Sequence, residues 1–507
     1  MNSRQFLALL AATLVFRFWL AAAFPITGDE AYFIWWGLKP DWGFYDHPPM
    51  IGWWLAGLLE FRDTEWWLRL PVILQPALLA VMVRWSLPQL APGIEPERRD
   101  WIALLVLLAP VNVWNIFITT DTPLIFFSVL SGLAWIRAAQ ERSGDGMRWY
   151  LLAGVLLAGA VLSKYFVAFL GFAYLVDALR RRTARAFAGL LLAYLCTVPA
   201  LALMAWWNAE NCWPNFMFNF VNRHGDAGWS WKTPLLYGLT LIYVLGPPVL
   251  WLAFKSRRWQ DGGSYRSASA GTLGLLAWLP FGLFAVLSLV KQIGLHWLLS
   301  FVPFALIWVG LRLRPAGLRK LGVFFAAFAG LHIAAILIVS RVPLEAWQAT
   351  RLYDGIVLSF EHKELVRELE PYKKDWVLAM DGYSNAVTMG YNLRRYVIVF
   401  GEASSHARHD DLVTDFRTLA EKKILILRKS EPKLADYRPY FKNVSMDSFE
   451  VRGARFWRVK GEGFDYPAYR DAILAPVRQK YYRIPPWLPQ TACYMCDRYF
   501  EGEACQR

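Results

Sequence analysis

The chain has 507 residues, of which 56% are hydrophobic and 19% charged, with a formal net charge of +14. A water-soluble domain runs nearer roughly 45–50% apolar and about 25% charged. Here the apolar surplus falls in long blocks, which excludes a single soluble globule and reads as a polytopic membrane protein. The positive charge lies in short loops between apolar runs, where membrane orientation puts it, so the expected surroundings are a lipid bilayer and no nucleic acid.

In chain order, apolar runs predict membrane spans at 5–24, 66–87, 101–118, 123–139, 149–163, 165–179, 186–207, 234–254, 272–290, 297–311 and 321–340. The first leads into Pro25-Ile26-Thr27 rather than a small-residue cleavage site, and is read as a helix that stays in the membrane. Four basic clusters separate the runs: Arg137, Arg142 and Arg148; Arg180, Arg181, Arg182 and Arg185; Lys255, Arg257, Arg258 and Arg266; Arg312, Arg314, Arg319 and Lys320. Eleven spans with the N-terminus inside put all four on the cytoplasmic side. Merging 149–179 into one helix would set the second cluster opposite the first, which favours two short spans.

The expected domains are a membrane domain over 1–340, with an outer first loop at 25–65, and a soluble domain over 341–507. In the latter, WVLAMD (376–381), RYVIVFG (395–401) and KKILILR (422–428) read as strands, and 410–421 reads as a helix between two of them. Residues 443–451 and 454–460 flank Arg452-Gly453 as a hairpin, which completes an α/β or α+β domain. In the tail, Cys493, Cys496 and Cys505 lie on the outer side, where thiols pair. They read as structural disulfide cysteines of open pairing, while Cys196 in an apolar run reads as packing.

The polar groups that look chemical gather on that outer side. Asp29 and Glu30 follow the first span, where a carboxylate near low-dielectric surroundings serves as a general base; solvated border acids are the plainer alternative. In Asp46-His47-Pro48-Pro49 the double proline stiffens the chain and fixes the direction of His47. Asp and His together suit a divalent cation or a phosphate. Asp121, in TTDTP, is expected to cap the next helix while facing a cavity. Lys164, in AVLSKYFVAFL, is a charge among apolar neighbours, and such a residue is a site candidate unless it snorkels. Arg223 and His224, then Lys291 and His296, add cations. Acids and cations on one face, rimmed by Trp, suit an anionic lipid head group beside a proton-accepting carboxylate.

TGDEAYFIWW, WGFYDHPPMIGWW, TTDTPLIFF, VLSKYFVAFL, WWNAENCWPNF with NRHGD, and HWLLSFVP follow in that order. The series resembles the bacterial dolichyl-phosphate-mannose protein mannosyltransferase-like family, glycosyltransferase family 39. That family is related to the aminoarabinose transferases of lipid A. The likeness covers roughly 1–310. It implies a GT-C membrane fold, a polyprenyl-phosphate (undecaprenyl-phosphate) sugar donor, and inversion at the anomeric centre. It further implies Asp29 as base, with Lys164 and His47 stabilising the leaving phosphate. The lipid A relatives carry Glu where this chain has Asp46 and Lys where it has His47, and an outer His like His224 joins a metal site there. The expected metal pair is therefore Asp46 and His224, and the imidazole of His47 gives a phosphate less charge than a lysine would. Arg223, Lys291 and His296 complete the expected donor-phosphate cations, with Asp46 and Asp121 as support.

The leading expectation is an inverting glycosyltransferase of the bacterial inner membrane, working on the periplasmic side on a lipid A, other glycan or protein acceptor. A phosphate leaving group needs no acid, so one base and several cations suffice, unlike the two carboxylates of a glycosidase. A lipid-linked glycan transporter is the competing expectation. Its inverted repeats and broken midplane helices are not evident.

Overall fold

The computed structural model describes residues 1–141, 145–222, 228–255, 268–401 and 409–501. Arg142, Arg257, Arg258 and Arg266 of the basic loops lie outside them. The chain forms two compact units. One comprises Met1–Phe24, Arg62–Ala202 and Ala227–Ser340; the other comprises Pro25–Phe61, Leu203–Asp226 and Arg341–Arg507. The 341–507 region thus shares its unit with two loops from the helical half, where a single division at residue 340 was expected.

The first unit is helical. Each of the eleven expected stretches carries helix, and among the described residues six helices are long and apolar enough to cross a membrane: Ser3–Ala23, Leu70–Leu90, Asp121–Gln140, Ala184–Glu210, Ala270–Leu287 and Pro315–Val339. The expected span at 234–254 is the pair Lys232–Leu245 and Pro247–Lys255, bent by 99°. Pro247 and Pro248 follow Gly246, whose φ of 78° lies in the left-handed region that glycine enters without strain. The 101–118 stretch also breaks, into Pro96–Leu107 and Pro110–Trp114.

Breaks and prolines free backbone carbonyls, and hydrocarbon offers them no water. Two buried arginines take up that duty. Pro76 has no N–H to give the carbonyl of Val72 four residues back, and the Arg17 guanidinium donates to it instead. Arg17 also donates to the carbonyls of Ile73 (3.0 Å), Asn115 (2.7 Å) and Asn112, and so ties the first helix to the broken segment. Arg69 donates to the carbonyls of Ala21 (2.8 Å) and Phe24 (2.5 Å), where the first helix ends. Farther along, Asp177 is fully buried but saturated. It accepts from the indole of Trp135 (3.1 Å), the hydroxyl of Thr272 (2.8 Å) and Arg180 (2.8 Å).

The second unit holds a five-stranded sheet of order β2-β1-β3-β5-β4, with β1 Val377–Met380, β2 Ile398–Val399, β3 Ile424–Arg428, β4 Phe441–Val451 and β5 Ala454–Phe464. β1 runs parallel to β2 and β3, β5 is antiparallel to β3, and β4 pairs with β5 as a hairpin. Arg452 (φ 51°) and Gly453 (φ 82°) form its turn, the left-handed pair that two-residue hairpins favour. β1 and β3 present Leu378, Ala379, Met380, Ile424, Leu425 and Ile426 to apolar neighbours on both faces, as buried parallel strands do. The expected helix over 410–421 is instead a short helix, His409–Val413, and a 3-10 turn, Phe416–Leu419, split at Thr414-Asp415. Asp415 accepts from the Arg417 N–H and so starts the second piece. An unexpected helix, Tyr383–Leu393, connects β1 to β2.

Candidate functional site

In the second unit, the loop after the first span begins with a capping box. Thr27 and Glu30 stand three apart, the spacing at which a threonine and a glutamate satisfy each other's backbone N–H groups. The Glu30 carboxylate accepts from the Thr27 N–H and hydroxyl at 3.0 Å each, while the Glu30 N–H faces the Thr27 hydroxyl at 3.4 Å. The result is the helix Gly28–Leu38. Glu30 was expected beside Asp29 as a catalytic acid. It is instead fully buried, with its carboxylate engaged in this cap and away from solvent. Asp29, one position earlier, points the other way. Its carboxylate is exposed and accepts a hydrogen bond from the Tyr383 hydroxyl at 2.9 Å.

Asp46 is buried. Its carboxylate faces the Tyr32 hydroxyl at 3.4 Å, and its backbone carbonyl accepts from Asn219 at 2.9 Å. Asn215 donates to the neighbouring carbonyl of Phe44 at 3.0 Å, so Asn215 and Asn219 hold the turn before Pro48-Pro49. The His47 ring lies 6.4 Å from Phe33 and 6.3 Å from Trp36, centre to centre. The expected partners Arg223 and His224 lie outside the described residues. Among the described residues no three His, Cys, Asp or Glu side chains gather to hold a metal, and Asp46 is engaged by a tyrosine. Of the expected metal pair, Asp46 alone lies within the described residues.

The 341–507 region supports this loop at several points that sequence spacing did not reveal. The His409 N–H donates to the Tyr32 hydroxyl (3.1 Å), and the His409 Nδ1 accepts from the Tyr45 N–H (3.4 Å). Burial, with Lys39 nearby, lowers the His409 imidazole to about 3, and a neutral ring is what an accepting Nδ1 requires. Two residues on, burial raises the Asp411 carboxyl to about 7. The Tyr482 hydroxyl, donating at 2.7 Å, opposes that rise, and Asp410 adds to it. Cys493 forms a disulfide with Cys212, 281 residues earlier, a partner the tail reading did not include; Cys505 lies outside the described residues. Cys196 is a free cysteine.

In the first unit, Asp121 heads the Asp121–Gln140 helix, where a cap was expected. Its side chain caps nothing. Both carboxylate oxygens accept from the Lys164 ammonium, at 2.9 and 2.8 Å, and both residues are buried. The backbone supplies the reason for the approach: the helix Gly146–Val161 ends at Leu162, and Lys164 is extended before the turn Tyr165–Val167. His296 joins them, with Nε2 at 3.9 Å from Asp121 and half its side chain exposed. Lys291 lies in the turn after the helix that ends at Leu287, and its N–H donates to the carbonyl of Leu287. An ammonium has three N–H donors, so the Asp121 pair leaves one of Lys164's for a further anion. The cavity among Leu79, Val106, Ile125, Val244 and Leu306 is apolar save for Asn112 and offers no chemistry of this kind.

Residues 46–207 match the family model described as dolichyl-phosphate-mannose-protein mannosyltransferase. The lipid A galacturonosyltransferase RgtD of Rhizobium johnstonii is 26% identical over 283 residues, 52% of this chain; the match spans about half, 55%, of that relative's length. The fold is similar to the crystal structure of ArnT from Cupriavidus metallidurans bound to undecaprenyl phosphate. The TM-score is 0.63 at 17% identity, over 90% of this chain and 98% of that one. The apo state of the same ArnT gives 0.62.

Proposed function

We propose that this chain, a relative of the dolichyl-phosphate-mannose protein mannosyltransferases with the GT-C fold of the lipid A transferases, is an inverting membrane glycosyltransferase. Its donor is a sugar on a polyprenyl phosphate, and its acceptor is lipid A, another glycan or a protein. It crosses the bacterial inner membrane eleven times, with 25–61 and 341–507 on the periplasmic side. The Cys212–Cys493 disulfide supports that side, since thiols pair in oxidising compartments. The basic clusters between the helices support the matching inner side.

The observation that carries the reading is the contrast between adjacent acids. Glu30 is consumed by a helix cap, and Asp29 is left exposed with one oxygen held by Tyr383. In the reaction, Asp29 takes the proton of the acceptor hydroxyl. The freed oxygen attacks the anomeric carbon on the face opposite the phosphate. The carbon–oxygen bond to phosphate breaks with its electron pair, and the anomeric configuration inverts. The leaving phosphate is already a stable anion, so what it needs is positive charge in a water-poor place. Lys164, Lys291, His296, Arg223 and His47 are the residues assigned to it. Lys164 contributes its remaining N–H while Asp121 fixes its direction.

Purified protein in detergent, given radiolabelled undecaprenyl-phosphate sugars, should transfer label to a lipid A or glycan acceptor. Asp29→Asn should lower that rate by roughly 10²–10⁴-fold, the usual worth of a general base. Full activity in the variant would remove Asp29 from the mechanism. Vectorial movement of the lipid-linked sugar without transfer would establish a transporter instead.

A further inference from the structure

A carboxylate base at the exposed start of a helix has two free side-chain torsions. It works well only when something holds it in the attacking geometry, because a misplacement of about 1 Å can cost on the order of 10²-fold in rate. In this chain that something comes from far along the sequence. Tyr383 is the first residue of the helix Tyr383–Leu393, 354 positions after Asp29, and its hydroxyl donates to Asp29 Oδ1 at 2.9 Å. The phenol ring is itself held. It packs edge-on against the Tyr32 ring at 5.4 Å, and the Tyr32 hydroxyl in turn accepts from the His409 N–H and faces Asp46.

The two helix starts can meet because residue 28 is a glycine. A Cβ on Gly28 would stand 1.9 Å from the Ser384 Oγ and 2.9 Å from the Ser384 Cβ. Any side chain there would push the start of the Tyr383–Leu393 helix away, and the tyrosine hydroxyl with it. Gly28 and Asp29 at the start of one helix, and Tyr383 and Ser384 at the start of the other, therefore fit together as one arrangement. The same logic holds wherever a catalytic base is itself oriented by a third group.

We infer that Tyr383 is a positioning residue for the Asp29 carboxylate, so that the 341–507 region supplies a working part of the acceptor site. This rests on Asp29 acting as the base. One oxygen of Asp29 is occupied by the phenol and the other is left to receive the acceptor proton.

The test is a two-by-two set of full-length proteins: wild type, Tyr383→Phe, Asp29→Asn and the double variant. Each is assayed for transfer from a radiolabelled undecaprenyl-phosphate sugar. Tyr383→Phe keeps the ring against Tyr32 and removes only the hydroxyl. Its kcat should fall about 10- to 100-fold, with the donor KM and the melting temperature unchanged. In the Asp29→Asn background the same change should cost less than about threefold, because a residue that acts through Asp29 has nothing left to orient. Wild-type kcat in Tyr383→Phe, or a full multiplicative loss in the double variant, would overturn the inference while leaving the transferase reading intact. A wild-type protein that transfers no sugar, or an Asp29→Asn variant as active as wild type, would overturn the reading itself and this inference with it. A second pair covers loss of folding in Tyr383→Phe. Gly28→Ala should lower kcat in the same way, and Ser384→Gly should restore part of it in that background, by removing the atoms at 1.9 and 2.9 Å and leaving the Ser384 carbonyl oxygen at 3.0 Å. Failure of Ser384→Gly to restore any activity would count against the inference.

Discussion

Lys164 and Asp121 invite a double-mutant cycle. Their closest approach is 2.8 Å, which at an effective dielectric of about 20 gives an attraction of about 6 kcal/mol. Withdrawing two ions from water costs several kcal/mol for each, so the intact pair adds little net stability. Removing one partner is another matter. Asp121→Asn leaves the ammonium buried without its counter-charge, and Lys164→Met leaves the carboxylate so; each should cost about 3–5 kcal/mol. For a helical unit of this size that is a fall in melting temperature on the order of 5–10 °C. The double variant, with both charges gone, should recover most of it. Melting in detergent, followed by tryptophan fluorescence, measures all four proteins. Additive losses in the double variant would refute the reasoning, because they would mean that the two charges are stabilised independently. Activity separates a second role. If Lys164 also serves the donor phosphate, the double variant should melt like wild type and still transfer slowly.

Two further outcomes follow from the second unit. Peptide mapping of protein extracted from membranes without reductant should find Cys212 joined to Cys493, and Cys493→Ser should destabilise the protein by about 2–4 kcal/mol; recovery of both as thiols would place this unit in a reducing compartment. Burial raises the Asp411 carboxyl to about 7, above its unfolded value, so its contribution to stability is complete below the unfolded pKa and is lost as pH rises through about 7. The melting temperature should therefore decline between pH 5 and pH 8 in wild type, and Asp411→Asn should flatten that decline.

Much of the helical unit was legible from hydropathy alone, because a bilayer demands long apolar runs and the chain supplies them. The breaks were less so. Gly246-Pro247-Pro248 announces its bend, and Pro110 the split after Leu107, but nothing in the sequence announces the work of Arg17, which reads there as a lone charge in an apolar run. Its purpose appears only beside the carbonyl that Pro76 leaves without a donor. In the soluble region the strands and the Arg452-Gly453 turn carried local signals. The helix Tyr383–Leu393 did not, since Ser384, Asn385, Gly390 and Asn392 dilute its apolar face. Asp29, Lys164 and Asp121 were legible as chemistry, whereas their partners were legible only in part. In the sequence Lys164 and Asp121 stand out separately, and neither Tyr383 nor Cys212 stands out at all. Pairings across 354 or 281 residues leave no mark on spacing.

The disulfide and the three-part second unit bear on how the molecule is made. Residues 25–61 and 203–226 leave the ribosome long before 341–507, yet all three belong to one compact unit. The early loops must wait, with Cys212 unpaired and Asp29 without its tyrosine, while the remaining helices are inserted. Closure comes only when Cys493 has been synthesised and oxidised. A ribosome stalled, or a chain cut, before residue 383 would therefore hold Asp29 without its tyrosine, and under the proposed mechanism competence for transfer would arrive late, as one of the last events of biogenesis.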